Sequence, residues 1–281
     1  MKKALSKVAI ALLTASAALP SVFAQEGLIN VVSREDGSGT RGAFVELVDV
    51  VDENGDDMTD LSAVIQNSTN GVMQTVAGDA NAIGYISLGS LNEDVKALTV
   101  DGVEASAETI KAGDYKIARP FNVAWKKDGL SEIAEDFLNF IHSEEGQKIV
   151  EEEGYIKSKD EATEYEASGL KGELTLVGST SVSPVIEVLG EAYKALNPDV
   201  TISVESVGSS AGIEAANNGT ADLGMASREL KEEEAENLDV DVIALDGIAV
   251  IVNKDAEIED ITLENLKKVY LGEITDWADV K

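Results

Sequence analysis

Cysteine is absent from the 281-residue chain, which excludes disulfides, thiolate metal sites and a lipid-modified cysteine anchor. Histidine occurs once, at His142, so no histidine pair can hold a metal and a single candidate general base remains. Positive charge is scarce: 22 lysines and arginines stand against 53 acids, a net charge of −31. That balance argues against nucleic acid and anionic membrane surfaces as partners and reads as a solvated acidic coat. An acidic protein that binds an anion has to concentrate its few arginines, so their positions say more than the total. No phosphate loop ending in Gly-Lys-Ser or Gly-Lys-Thr is present, which removes an ATPase on motif grounds.

Long apolar runs are also missing. The longest, Val8 to Leu19, falls short of the ~20 residues a membrane span needs. Lys2, Lys3 and Lys7 precede it and Val22-Phe23-Ala24 close it, the layout of a secretory signal over residues 1–24 that is cut before Gln25. The expected product is periplasmic or secreted, without membrane insertion, and large enough for two lobes.

From Gln25 onward the chain alternates β-branched runs with helical patterns, the signature of α/β layering. Strands are expected at Ile29 to Val32, Ile83 to Ile86, Leu174 to Val177, Thr201 to Val204 and Ile248 to Val252. Leu130, Ile133, Ala134, Phe137, Leu138 and Ile141 recur at helical spacing and predict one buried stripe. Ser143 before Glu144 and Glu145 predicts a fresh helix start. The polar segment 158–169 has no apolar period and reads as a surface linker.

Three segments share one design, a strand, then a small-residue loop, then a helix opening. They are Gly178-Ser179-Thr180-Ser181-Val182-Ser183-Pro184, Gly208-Ser209-Ser210-Ala211-Gly212 and Asp36-Gly37-Ser38-Gly39-Thr40-Arg41. A helix opening offers N–H donors without intrahelical acceptors and about half a positive charge, so a compact oxyanion can sit there. One such loop would be an ordinary cap, whereas three in one chain point to an anion site. Arg34 and Arg41 flank the third loop, and guanidinium forks suit a tetrahedral oxyanion.

Val32-Ser33-Arg34-Glu35-Asp36-Gly37-Ser38-Gly39-Thr40-Arg41, Gly178-Ser179-Thr180, Gly208-Ser209-Ser210-Ala211-Gly212, Ala226-Ser227-Arg228-Glu229-Leu230 and Tyr270-Leu271-Gly272-Glu273-Ile274-Thr275-Asp276-Trp277 resemble the substrate-binding proteins of the phosphate-specific (Pst) ABC transporter. The resemblance covers almost everything after the signal, but in most of that family the Gly-Ser-Thr loop comes first. A circular permutation accounts for the changed order, with Lys281 near Gly27 and residues 158–169 joining the former termini. The resemblance implies a two-lobed type II periplasmic-binding-protein fold. Residues 26–118 plus 253–281 would form a discontinuous lobe and 119–252 a continuous one, with Ala118 to Lys126 and Ala244 to Asn253 crossing between them. It implies inorganic phosphate and a membrane permease as partners, no cofactor, no enzymatic activity and a monomer. Phosphate contacts carry over to Arg34, Ser38, Gly39, Thr40, Thr180, Ser181 and Ser209, with Ser210 and Arg228 beside them. Asp36 would orient Arg34, with Arg41 behind the site. Arg228 stands where relatives place an aspartate that accepts phosphate's proton, so Asp246 is a candidate substitute.

Rival readings remain. Sulfate or molybdate could be the ligand, or the chain could be a phosphate sensor. Gly208-Ser209-Ser210-Ala211-Gly212 also fits a nucleophile elbow, for which His142 would be the base of a serine hydrolase. Asn67-Ser68-Thr69 and Asn218-Gly219-Thr220 match the glycosylation triplet by chance.

Overall fold

The computed structural model describes residues 26–159 and 161–280, so the expected signal segment and Lys281 lie outside the described residues. The chain opens with β1 (Asn30–Arg34), α1 (Gly39–Leu47), β2 (Val64–Gln66), α2 (Thr69–Gly78), β3 (Ala82–Ser87), β4 (Val95–Ala97), β5 (Thr99–Val100) and α3 (Ala107–Lys111). Next come β6 (Ala118–Lys126), α4 (Glu132–Ile141), α5 (Glu144–Glu152), β7 (Ile156–Lys157), β8 (Gly172–Gly178), α6 (Ser183–Leu196), β9 (Val200–Ser206), α7 (Ser209–Asn218) and β10 (Leu223–Ala226). It closes with α8 (Glu232–Ala235), β11 (Leu238–Asn253), β12 (Asp260–Ile261) and α9 (Leu263–Tyr270).

Pairing runs β2-β1-β3-β11-β6-β10-β8-β9 through one sheet, with β4 and β7 also on β11. The flanks, β2-β1-β3 and β10-β8-β9, are parallel, while β3-β11-β6-β10 are antiparallel. Parallel flanks need helical crossovers, and each crossover starts a helix at the carboxyl end of a strand, where open α/β sheets bind ligands.

Two apolar cores grow from this sheet. In one, Phe44 stacks on Tyr85 with centroids 3.9 Å apart and meets Tyr270 edge-on at 4.7 Å. The other gathers Phe121, Phe137, Phe140, Leu174, Leu189 and Tyr193. The stripe on α4 buries Ala134, Phe137, Leu138 and Ile141 as expected, each large side chain contributing about 1.5–3 kcal/mol of burial. Leu130 precedes the helix and is only partly buried. Ser143 caps α5 by accepting from the Gly146 N–H.

β11 crosses between the cores. Ile243 and Ala244 pack in the second, and Ile248 to Val252 pack in the first, so a division of lobes at residue 252 moves back to about Gly247. The segment after α5 carries little regular structure, but it is no loose tether. Tyr165 packs edge-on against Phe140, its hydroxyl donates to Asp136 at 2.7 Å, and Ser168 donates to the same carboxylate at 2.7 Å. At the other end of the fold, the Ile29 N–H donates to the Thr275 carbonyl at 2.9 Å and the Trp277 N–H to Gly27 at 3.0 Å. The first and last described stretches thus lie side by side.

Candidate anion site between the lobes

Four strands of the parallel flanks, β1, β2, β8 and β9, deliver their helices α1, α2, α6 and α7 with the amino ends turned toward one gap. Side chains close that gap. Thr40 and Ser181 are hydrogen-bonded at 2.9 Å, and Thr69 meets Thr180 at 3.3 Å and Ser181 at 3.2 Å. The Ser210 N–H donates to the Gly37 carbonyl at 3.1 Å. Gly39 approaches so closely that a Cβ there would lie 2.2 Å from Ser209 Oγ and 2.8 Å from Ser227 Oγ, so a side chain there would force those serines or the backbone to shift. Ser38 spends its hydroxyl at home, capping α1 by accepting from the Arg41 N–H at 3.3 Å. Three loops expected to converge therefore do, bringing Arg34, Gly39, Thr40, Thr180, Ser181, Ser209 and Ser210 to one place.

Arg34 ends β1 and is only 2% exposed. Its Nε and Nη2 donate to the Glu35 carboxylate at 2.7 and 2.8 Å, and Nη2 also donates to Thr180 Oγ1 across the gap at 3.1 Å. Beneath it the Tyr85 hydroxyl bonds Ser33 Oγ at 2.8 Å and accepts from the Arg34 N–H at 3.4 Å; burial pushes that phenol up to about 12, so it stays protonated. Arg41 buttresses the same strand end, donating to the Arg34 carbonyl at 2.9 Å and to Asp57 at 2.6 Å.

Three expected roles are corrected. Asp36 does not orient Arg34: it sits exposed in the turn with Gly37, whose φ is +82, and Glu35 does the orienting. Asp246 is not aimed at a ligand. It is buried on the crossing strand, where it accepts from Arg119 Nε and Nη2 at 3.1 and 2.9 Å and from Ser87 at 2.9 Å. Burial pushes its carboxyl upward while Arg119 opposes the shift. Arg228 does not present a free guanidinium. Nη1 and Nη2 donate to Glu234 at 2.7 and 2.8 Å, Nη1 to the Glu229 carbonyl at 2.9 Å, and Nη2 to Ser210 Oγ at 3.2 Å. Burial works to raise the Glu234 carboxyl, but the Arg228 hydrogen bond and charge, with the Lys231 N–H, outweigh it and hold it below the usual range.

Sequence reasoning missed Thr69, Ser227 and Arg119. Thr69 opens α2 directly after the short strand β2 and the Ser68 cap, the same strand, hydroxyl loop and helix design as the other three. Ser227 ties the loops together: its hydroxyl accepts from Ser179 at 2.9 Å and its N–H donates to Ser209 Oγ at 3.1 Å. Arg119 Nη1 holds the Ser227 carbonyl at 3.1 Å from below. As for a nucleophile elbow, His142 Nε2 pairs with Asp241 and its Nδ1 lies 3.4 Å from Ser158 Oγ, while Ser210 is engaged by Arg228. The sole imidazole thus serves a different serine from the one a hydrolase would need.

Comparison with known proteins points the same way. The PBP superfamily domain matches residues 10–145 and 163–281. A protein named phosphate-binding protein PstS 2 from Streptococcus pneumoniae is 52% identical over 258 residues, covering 91% of this chain and 88% of its own length. One of the same name from Streptococcus agalactiae is 45% identical over 265 residues, covering 92% and 90%. The crystal structure of a phosphate-binding protein of a Streptococcus pneumoniae phosphate ABC transporter superposes with a TM-score of 0.74 at 52% identity, covering 91% of this chain and 100% of that one.

Proposed function

The chain belongs to the PBP superfamily, among the phosphate-binding proteins of phosphate ABC transporters, and from that premise we propose that it captures inorganic phosphate outside the cytoplasm and passes it to a membrane permease. The observation that carries this reading is Arg34: a buried guanidinium, oriented by Glu35, reaching across the gap to a hydroxyl of the opposite lobe.

The physical case is one of short range. At −31 the surface repels phosphate, but ions at physiological strength screen that field beyond about 8 Å, so recognition has to come from the buried donors themselves. Micromolar affinity needs about 8 kcal/mol net. Charge-assisted hydrogen bonds supply roughly 1.5–3 kcal/mol each, so Arg34 with hydroxyls and helix-opening N–H groups can reach that sum. Phosphate would take the place of the hydroxyl-to-hydroxyl contacts at Thr40, Ser181, Thr69 and Thr180, bridging both lobes. An anion that is bound better with the lobes together shifts the population toward closure, and the closed form is the one a permease can recognise. Binding, rather than turnover, is the activity.

Glu35 and Asp246 are both engaged by arginines, and Arg228 replaces the aspartate expected after Ala226-Ser227, so the positive charge there favours the phosphate dianion. Its remaining proton can be donated to a serine or threonine hydroxyl, whereas sulfate has no proton to donate. The adjacency of Gly27 and Trp277 supports a permuted chain order, with 158–169 as the join. The test is parallel calorimetric titration with phosphate and sulfate. Saturable one-site binding of phosphate is expected; no heat at millimolar phosphate contradicts the assignment, and equal binding of sulfate contradicts the selectivity.

A further inference from the structure

A cavity of about 240 Å³ opens beside the anion site, between Thr69 and Thr180 on one side and Ser68, Asn70, Ser90, Ser183, Glu187 and Ser206 on the others. Both lobes contribute to it. It shares two walls with the anion site, because Thr180 accepts from Arg34 and Thr69 contacts Thr180 and Ser181. The partition is a pair of threonine hydroxyls 3.3 Å apart.

From this continuity we propose that the site takes short polar phosphate monoesters and phosphonates as well as the free anion, with the phosphoryl group at Arg34 and the substituent in the adjoining cavity. The inference rests on the phosphate reading and adds a ligand class to it. At about 30 Å³ per water in the liquid, 240 Å³ is room for about eight waters, ample for a two- or three-carbon chain. Serine hydroxyls and the Asn70 amide can each donate or accept, so they suit hydroxyl or amino groups rather than an alkyl tail. No lysine or arginine lines the cavity, which disfavours a second phosphate there. Glu187 is its one ionisable side chain, so an ammonium is the best-matched end group. The ester oxygen would replace the Thr69 to Thr180 contact, leaving Arg34 on the phosphoryl oxygens.

The test is calorimetric titration of the full chain, freed of phosphate, with inorganic phosphate, phosphoethanolamine and glycerol 3-phosphate. Each is expected to bind at one site and to compete with the others. Ser206→Phe, at the exposed end of β9, fills the cavity. It should weaken both esters at least about tenfold while leaving phosphate within about twofold. Glu187→Gln, on the exposed face of α6, should lower the preference for phosphoethanolamine over glycerol 3-phosphate several-fold without touching phosphate. Binding of phosphate with neither ester overturns this inference and leaves the phosphate reading standing. Equal loss of phosphate and esters in Ser206→Phe also overturns it. Failure of all three ligands on the unaltered chain overturns both.

Discussion

Two buried arginines serve the same cleft and differ in what occupies their donors. At the gap, Arg34 rests on Glu35, a carboxylate still 23% exposed, and keeps a contact to the far lobe. On the crossing strands, Arg119 is enclosed by Asp246, whose side chain is 0% exposed, and by the Ser227 carbonyl. A guanidinium whose partner remains near water can trade a hydroxyl for an incoming oxyanion at little cost. One whose three nitrogens are all hydrogen-bonded in the interior is committed to structure, here to joining β6, β11 and the Ser227 loop. On the proposed reading, the same residue type holds the anion in one region and the scaffold in the other.

Substitutions can break that contrast. Asp246→Ala leaves Arg119 charged, buried and unpaired and should cost about 3–5 kcal/mol of stability, measured by denaturant unfolding. A fall in phosphate affinity with unchanged stability would move Arg119 into the ligand class. Arg34→Ala is expected to do the opposite, weakening phosphate at least about a hundredfold, or roughly 3 kcal/mol, in calorimetry, because it removes charge-assisted donors and leaves Glu35 facing the anion. Arg228→Ala should be milder, about 1 kcal/mol of stability from the lost pair with the partly buried Glu234.

The Arg228 effect has a signed pH dependence. The Glu234 carboxyl sits lower in the folded chain than in the unfolded one, so the pair stabilises above the ordinary glutamate range and loses its contribution as pH falls through the folded value. Parent and Arg228→Ala midpoints should therefore converge below about pH 4. The smallest expected effect is Asp36→Asn, within about 0.5 kcal/mol in stability and affinity alike, since Asp36 lies in an exposed turn. A large loss there would restore the orienting role to Asp36 and remove it from Glu35.

Much of this was legible in the residues. Period and caps located α4 and α5, and β-branched runs located β1, β8 and β9 but not β2, because burial of a stripe and satisfaction of helix ends are local demands written into spacing. Convergence of three loops was inferable from their shared design, and the fourth at Ser68-Thr69 had the same form. What spacing could not say was where side chains turn. Glu35 and Asp36 are adjacent acids, and only the turn at Asp36-Gly37 decides which faces Arg34. Asp246 and Arg119 sit on strands far apart in sequence, and their pairing exists only through the register of β6 against β11, Asp246 opposite Arg119. Arg228 looked available because Glu234, six residues on, returns to it only once α8 forms.

The central claim is that a single phosphate is held between both lobes by Arg34 and the hydroxyls around it. A crystal structure of the phosphate complex tests it most directly. The account predicts one anion within hydrogen-bond distance of Arg34 and Thr40 from one lobe and of Thr180 and Ser181 from the other. Phosphate bound by residues of one lobe alone, or bound elsewhere with Arg34 still capped by Thr180, would contradict it.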